Sequence, residues 1–184
     1  MLYGTKITLC SLEEAYAQQL TSFLNDVEVI QYISIVTPQT ISQEKEWIEA
    51  TNKSNDNIVF AIRANDKSTD NRTHIIGSVG LHNINWIDRS ATFGIVIGDK
   101  DYWSSGCGSE VAFLILYWGF NSLNLARIES SALKYNTRSI ALHKKCGFVE
   151  EGIARKAAFK RGIYHDLVLF GLLREEFENT LYQK

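Results

Sequence analysis

The chain has 184 residues, of which 45% are hydrophobic, so it can bury a substantial core in one predicted domain spanning residues 1–184. Its 19 basic and 21 acidic residues leave a formal net charge of −2, which favours neither nucleic acid nor an anionic membrane as a partner. The first residues do not form a signal peptide, and no apolar run is long enough to span a bilayer. Three scattered cysteines favour a reducing compartment over disulfides or zinc, so we expect a cytoplasmic protein without a metal.

The first half of the chain contains predicted strands around two predicted helices. Residues 6–12 alternate apolar and polar side chains, as strands do, and residues 12–24 place apolar side chains near helical spacing. Thr40 and Gln43 form the pattern of a capping box, which predicts the start of a second helix. Three more strands are predicted at 57–64, 74–84 and 91–98, with a polar loop at 65–73 between the first two.

The second half contains a long apolar helix, predicted at 109–123, and a shorter one. Asn136 is predicted to cap the shorter helix, which ends at Cys146, and Gly147 is expected to supply the left-handed residue after it. Strands are predicted at 126–133, 148–159 and 163–173, the last two as a hairpin. The order β-α-α-β-β-β-α-β-α-β-β predicts a mixed α/β fold.

The stretch YWSSGCGSEV, residues 102–111, is a turn of small residues that opens the long helix. Such a turn leaves backbone N–H groups free at the positive end of the helix dipole, which suits an anion. It is not a Walker loop, because Glu110 and Val111 follow Ser109 where Lys and Ser or Thr are needed, and Val111 also breaks the dinucleotide fingerprint. A tight turn without a ligand stays an alternative, since glycines often serve geometry alone.

The order of motifs around this turn resembles the core of the GNAT (Gcn5-related N-acetyltransferase) superfamily. The matching features are the turn at 103–108, Asn136 and Ser139 at the next helix start, and Gly147-Phe148 at its end. The strand GLHNI and the closing GIYHDLVLFGLL resemble the ribosomal-protein N-terminal acetyltransferase branch, so the resemblance covers nearly the whole chain. It implies the GNAT acyl-CoA N-acyltransferase fold, a mixed, mostly antiparallel sheet flanked by helices.

The resemblance also implies acetyl-CoA as cosubstrate, with its pyrophosphate on the turn and its pantetheine arm along the strand edge at 95–97. The implied cofactor-binding residues are Ile95, Val96, Ile97, Ser104, Ser105, Gly106, Cys107, Gly108, Ser109, Asn136, Ser139 and Lys145. Trp103 stands where the family has Gln or Arg. Asn136 is equally a plain helix cap, and Lys144 and Lys145 can complement the helix C terminus instead of a 3′-phosphate.

Several side chains are candidates for catalysis by direct attack of an amine on the thioester. His143 stands where the family often carries Tyr, and an imidazole that titrates near neutrality can protonate a leaving thiolate; a partly exposed structural histidine is the alternative. His82 or Glu110 can act as base, unless water carries the proton away. Tyr164, with His165 and Asp166, borders the acceptor site in the resembling branch or only packs its strand.

The identity of the acceptor is weakly encoded. The basic segment ARKAAFKRGIYHD suits an acidic peptide, whereas the acids of SQEKEWIEA suit a cationic acceptor. The branch resemblance favours a protein or peptide N-terminal amine, with a polyamine or aminoglycoside-like amine as the alternative. A CoA-binding module without turnover and, last, a nucleic-acid binder are the other readings, and a homodimer is left open.

Overall fold

One sheet of eight strands organises the chain, and its order is β1-β2-β3-β4-β5-β6-β8-β7. The computed structural model describes residues 1–65 and 74–182, so all but the first residue of the predicted loop at 65–73 lies outside the described residues. The strands are β1 (Leu2–Tyr3), β2 (Ile7–Ser11), β3 (Ile58–Ala64), β4 (Ile75–Asn85), β5 (Ser90–Ile97), β6 (Arg127–Leu133), β7 (Val149–Lys160) and β8 (Ile163–Leu173). The predicted mixed, mostly antiparallel sheet is confirmed.

The centre of the sheet holds its one parallel pair among the described strands, β5 beside β6. These two strands pair only from Ser90 with Arg127 to Thr92 with Glu129. Beyond that point β5 continues along β4 to Ile97, while β6 continues along β8 to Leu133. The two strands therefore diverge, and the sheet opens at its middle.

Six helices flank the sheet in the described part of the chain. They are α1 (Ala17–Leu24), α2 (Val27–Ile30), α3 (Ile41–Lys53), α4 (Cys107–Asn121), α5 (Thr137–Lys145) and α6 (Arg174–Tyr182). The predicted capping box at Thr40 and Gln43 is confirmed, since each side chain binds the other residue's backbone N–H. The predicted Asn136 cap and the left-handed Gly147, with φ of 92°, are also confirmed.

Hydrophobic side chains cover both faces of the sheet, because neighbouring residues of a strand point to opposite faces. Ile76 belongs to the large core cluster under α4, whereas its neighbour Ile75 belongs to a second cluster under α1 and α3. Helix α4 contributes several fully buried side chains to the first cluster, and α6 adds Phe177, whose ring lies 5.3 Å from that of Phe120. These two layers hold α4 and α6 on one face of the sheet and α1 and α3 on the other.

The sequence did not predict β1, α2 and α6, and it placed the start of α4 two residues late. The first two are only two and four residues long, too short for a periodic pattern. No helix in the described part of the chain has the length and apolar character to cross a membrane. A single domain over residues 1–184 stays a prediction.

Candidate active site

A cleft of about 1080 Å³ opens where β5 and β6 diverge. One part of its wall comes from β5, the glycine turn and α5; because the family resemblance implies the cosubstrate there, we call it the cofactor half. The other part comes from α1, the segment 32–39, α3 and the end of β7, and we call it the acceptor half because it is the wall left for a second ligand. The cleft therefore lies at the opening in the sheet, with the turn at its edge as predicted.

The glycine turn presents backbone to the cleft and is held from behind. Gly106 has φ of 89°, in the left-handed region that favours glycine, and it caps the start of α4. The Ser105 hydroxyl donates to the Tyr102 carbonyl at 2.6 Å, and the Lys6 ammonium donates to the Ser105 carbonyl at 2.6 Å. Ser104, Gly106, Gly108 and Ser109 line the cleft, whereas Ser105 does not. The first N–H groups of α4 can thus meet an anion without side-chain help.

Cys107 sits in the turn but turns its side chain away from the cleft. Cys107 is 3% exposed and belongs to the large core cluster. Its backbone N–H donates to the Ser105 hydroxyl at 3.3 Å. As side chains, Ser105 and Cys107 therefore support the turn from behind. Of the predicted cofactor-binding residues in the turn, Ser105 and Cys107 do not line the cleft.

The edge of β5 offers alternate residues to the cleft. Gly98 donates its N–H to Ile76 of β4, so the hydrogen-bonding groups of Ile97 and Ile95 point away from β4, toward the cleft. Those of Val96 point back to β4, with which it is paired at Ser78. An extended, amide-bearing ligand could pair with Ile95 and Ile97 as an added strand would.

Trp103, which the sequence marks as a departure, closes one end of this edge. Its indole N–H donates to the Ile97 carbonyl at 2.7 Å, so that acceptor is taken. The Arg138 guanidinium lies 4.2 Å above the Trp103 ring and 5.3 Å from the Tyr32 ring, a cation–π arrangement on the cleft wall. Sequence reasoning missed Arg138, which brings a positive charge to the cofactor half near the turn.

Helix α5 supplies the rest of the cofactor half. Asn136, Ser139 and Lys145 all line the cleft. The Asn136 side chain accepts the Ser139 N–H at 3.1 Å, so its capping role is present, and it also faces the cleft. Lys144 is exposed and outside the lining, which leaves Lys145 as the lysine of this helix that can meet a phosphate.

His143 is buried, at 2% exposure, contrary to the partly exposed structural alternative. Its ring stacks on Phe170 at 4.6 Å, Nδ1 lies 2.7 Å from the Ser139 carbonyl, and Nε2 lies 2.8 Å from the Ser130 hydroxyl. Burial lowers the pKa of this imidazole below its usual value. The ring is therefore neutral near pH 7, which does not favour its predicted role as the acid.

His82 lines the cleft, and its hydrogen bonds define its tautomer. The side-chain NH2 of Asn57 donates to Asp56 Oδ1 at 2.8 Å. This bond orients the side-chain oxygen of Asn57, Oδ1, toward His82 Nδ1, at 3.3 Å. Because that oxygen can only accept, Nδ1 carries the proton and Nε2 keeps its lone pair. Burial lowers the pKa of His82, so its neutral form dominates near pH 7.

Two glycines give the His82 ring its place beside β5. A Cβ on Gly80 would lie 2.9 Å from Nε2, and one on Gly94 would lie 3.4 Å from it. A side chain at Gly80 would therefore press on the ring. The unprotonated nitrogen lies beside Gly94, in the part of β5 where the sheet opens.

Two other sequence candidates lie elsewhere. The Glu110 carboxylate accepts the backbone N–H groups of Thr5 and Lys6, so it ties α4 to the N-terminal segment and is not placed as a base. Tyr164 is 61% exposed and lies in a separate depression of about 350 Å³, which His165 and Asp166 also line. The prediction that Tyr164 borders the acceptor site is corrected, because it is the opposite residue on β7, Phe159, that lines the cleft.

The acceptor half contains charged residues that sequence reasoning did not single out. The Lys160 ammonium donates to the carbonyls of Ile35 at 2.8 Å and Ile30 at 3.2 Å. These bonds connect the β7–β8 hairpin to the end of α2 and the segment after it. Burial lowers the pKa of this lysine. Glu44 of α3 is 5% exposed and lines the cleft. The sequence pattern that could have revealed Glu44 is its helical spacing with Ile48 and Thr51, which places this carboxylate on the buried face of α3.

Among the described residues, no group of three or more His, Cys, Asp or Glu side chains could hold a metal ion. The three cysteines are buried, and none of them forms a disulfide. The cleft is lined by backbone of β5 and of the turn, by hydroxyl and amide side chains, and by two imidazoles, three cations and one carboxylate. This composition suits an amide-bearing anion and an amine.

Comparison with known proteins gives a consistent set of matches. The family model described as an acetyltransferase (GNAT) domain matches residues 6–149. The chain is 31% identical over 181 residues to the uncharacterized N-acetyltransferase p20 of Bacillus licheniformis, covering 96% of this chain and 97% of that protein. It is also 33% identical over 104 residues, 56% of each chain, to a putative ribosomal N-acetyltransferase, YdaF, of Bacillus subtilis.

A solved structure extends these matches to the whole fold. The crystal structure of spermidine N-acetyltransferase from Vibrio cholerae, in complex with CoA and spermine, superimposes with a TM-score of 0.86 at 25% identity. The likeness covers 96% of this chain and 100% of that chain. The sequence match to spermidine N(1)-acetyltransferase of the same organism is 33% identity over 110 residues, 60% of this chain and 63% of that protein.

Proposed function

The chain belongs to the GNAT acetyltransferase family, and from that premise we propose that its acceptor is a small-molecule amine of the polyamine class. The chain is an acetyl-CoA-dependent N-acetyltransferase. The observation that carries the choice of acceptor is the likeness to a spermidine acetyltransferase over 96% of this chain. Burial of a carboxylate in the acceptor half agrees with it, since a cationic amine offsets such a charge.

We propose that the cofactor half holds acetyl-CoA largely through backbone groups. The first N–H groups of α4, at Gly108 and Ser109, would bind the pyrophosphate, and the N–H and carbonyl of Ile95, with the N–H of Ile97, would pair with the pantetheine amides. Arg138 and Lys145 add positive charge on the same wall. Bound there, acetyl-CoA supplies the acetyl thioester, and the opening between β5 and β6 gives its reactive end room.

His82 is the proposed base. The incoming ammonium must lose a proton before its nitrogen can attack the thioester carbonyl, and Nε2 of His82 has the lone pair to accept it. As the nitrogen bonds to the acetyl carbon, the carbon–sulfur bond breaks and the thiolate leaves with the bonding electrons. The second amine proton is then released and the thiolate is protonated, which solvent can accomplish. Asn57 is a positioning residue in this scheme, because it sets the tautomer of His82.

The test is an acceptor screen that follows release of the CoA thiol. Spermidine and spermine should be acetylated with kcat/KM well above that of peptides bearing a free N-terminal amine. At a hundredfold excess over its Kd, acetyl-CoA should also stabilise the native state by about 2.7 kcal/mol, which is measured as a higher melting temperature. A protein stabilised by acetyl-CoA that releases no thiol with any amine would be the CoA-binding module without turnover.

A protein or peptide N-terminal amine is the second candidate. The match to the putative ribosomal N-acetyltransferase and the basic end of β7 favour it, since Lys156 and Lys160 lie on that strand. The Lys160 ammonium is, however, engaged with two carbonyls, which reduces its value for binding an acidic peptide. Faster turnover of peptides than of polyamines in the same screen would select this candidate.

A further inference from the structure

Glu44 occupies a position that the packing of α3 assigns to a hydrophobic residue. The buried residues of this helix are Glu44, Ile48 and Thr51, a spacing that forms one face, and that face meets α1 and the second core cluster. Glu44 is 5% exposed. A carboxylate on the inward face of an amphipathic helix loses hydration, which costs free energy. Unless another interaction offsets that cost, the buried charge destabilises the protein.

No partner within the described residues compensates this charge. Its carboxylate makes no ion pair or hydrogen bond with them, although Lys45 and Lys53 of the same helix pair with Glu14 and Glu49. Desolvation is the only cause that shifts its pKa, which rises from 4.5 to about 6. The group is thus mostly ionised near pH 7, buried and unpaired.

The side chain borders the cleft and is not sealed in the core. The acceptor half is also lined by Gln39, Gln43 and Trp47, and by Leu20 and Phe23 of α1. Glu44 is the one carboxylate among the described residues that line the cleft. A ligand that enters this half therefore meets a single negative charge set between amide groups and aromatic or aliphatic walls.

The positive charges of the cleft wall are engaged or lie in other parts of the cleft. Arg138 stacks on Trp103, Lys145 lies at the end of α5, and Lys160 binds two backbone carbonyls. His82 donates from Nδ1 to Asn57. The missing counter-charge for Glu44 is therefore most simply supplied by a ligand.

We propose that Glu44 binds a second ammonium group of the acceptor, one that is not acetylated, and so selects diamines and polyamines over monoamines. This inference rests on the proposed function, because it requires that the acceptor be an amine held in this cleft. An alkyl chain between the two nitrogens would lie along the apolar walls around Leu20, Phe23 and Trp47. The reacting nitrogen would lie at His82 and the distal one at Glu44.

The experiment compares Glu44→Gln with wild type on matched acceptors, 1,4-diaminobutane and butylamine, and on spermidine. Glutamine keeps the size and removes the charge. Glu46→Gln is the control, because Glu46 is an exposed carboxylate two residues away on the same helix. Release of the CoA thiol gives kcat/KM for each acceptor, and the ratio of diamine to monoamine is the quantity compared.

We expect Glu44→Gln to lower that ratio by about 10- to 100-fold, mainly through KM, because a hydrogen bond to a charged group contributes on this scale. Glu46→Gln should leave the ratio within about twofold. An unchanged ratio in Glu44→Gln, in an enzyme that acetylates both amines, would overturn the inference and leave the proposed function intact.

A second measurement separates the two proposals if wild type acetylates no amine. Melting temperatures are then recorded for wild type and Glu44→Gln with saturating CoA, with and without spermidine. Stabilisation by spermidine in wild type that is lost in Glu44→Gln would support the subsite although the acetylation of polyamines is disproved. Equal stabilisation of the two proteins, or none in either, would overturn the subsite.

Discussion

The two halves of the cleft are built from different chemical groups. The cofactor half presents backbone, from the free edge of β5 and the first turn of α4, and its side chains chiefly hold that backbone in place. The acceptor half presents side chains from three separate elements, α1, α3 and β7. A site made of backbone tolerates changes of sequence, whereas a site made of side chains changes its ligand with each substitution.

The largest effect is expected at the junction of the two halves, where His82 faces β5. His82→Leu should lower kcat/KM by about 10²- to 10⁴-fold, because it removes the proposed base, while the Kd for CoA stays unchanged. In wild type, activity should fall as the pH drops through the pKa of His82, which burial lowers below its usual value. Rates measured from pH 5 to 9, with CoA binding by calorimetry, check both parts.

Asn57→Leu is the matched variant for this prediction. It keeps the imidazole but removes the acceptor for Nδ1–H, so it should cost less than His82→Leu and alter the acidic limb of the pH profile. Full activity in His82→Leu across the pH range would show that water removes the proton and that the two halves do not meet at a protein base.

Gly108→Asp tests the cofactor half. The Kd for CoA should rise about 100-fold, through like charge against the pyrophosphate and loss of room at the helix start. The fold should persist, because a Cβ at this position meets nothing within 4 Å and no left-handed φ is required. Isothermal titration with CoA gives the Kd, and far-UV circular dichroism confirms folding.

The companion variants decide whether backbone is what binds. Gly108→Ala and Ser109→Ala should each change the Kd by less than about threefold, since the N–H groups remain in place. A loss in Ser109→Ala as large as that in Gly108→Asp would show that side chains bind the anion, and the contrast between the two halves would then fail.

His143→Phe tests whether α5 contributes chemistry or support. At pH 7.5 turnover should stay within about threefold of wild type, because the buried imidazole is already neutral there. The free energy of unfolding should fall by about 1–3 kcal/mol, since the substitution leaves the Ser139 carbonyl and the Ser130 hydroxyl without the ring nitrogens. Steady-state rates and urea unfolding measure the two quantities.

A different outcome for His143 would restore the acid role predicted from its place in the motif. That role requires a loss of about 10²-fold in turnover at saturating acetyl-CoA, with stability unchanged. His143→Tyr, which introduces the residue the family often has there, should then keep most of the activity at high pH, because a phenol stays protonated further up.

The smallest effect concerns stability and the acceptor half. The pKa of Glu44 is raised from 4.5 to about 6 by desolvation, a difference that corresponds to about 2 kcal/mol. Because the native pKa is raised, the folded protein is favoured while Glu44 is protonated. This contribution to the free energy of unfolding is fully present below about pH 4.5 and is lost as the pH rises through about 6. Glu44→Gln should therefore be more stable than wild type by up to about 2 kcal/mol at pH 8, with the gap closing at pH 4.5.

Urea unfolding of Glu44→Gln, Glu46→Gln and wild type at both pH values measures this gap. Glu44→Gln should gain stability while it loses selectivity for diamines, the combination expected of a residue kept for binding at the expense of stability. A loss of stability at pH 8 would instead assign Glu44 to the helix dipole of α3, where it lies in the first turn.

The sequence alone determined the features that depend on local chemistry. The capping box at Thr40, the cap at Asn136 and the glycine turn before α4 follow from contacts within a few residues, and each is confirmed. The family resemblance followed from the order of these signals. Backbone geometry is written locally, so the fold and the cofactor half were largely predictable.

Only the tertiary structure decided what surrounds each side chain. It buried His143 among aromatic rings, moved Tyr164 outside the cleft and engaged Glu110 with the N-terminal segment. It also brought Asn57, just before β3, to His82 on the neighbouring strand β4, and it placed Glu44 in the cleft wall without a counter-charge from the described residues. Burial and charge pairing depend on residues distant in the chain, and these govern pKa values and ligand preference. For that physical reason the acceptor half could be read only from the folded protein.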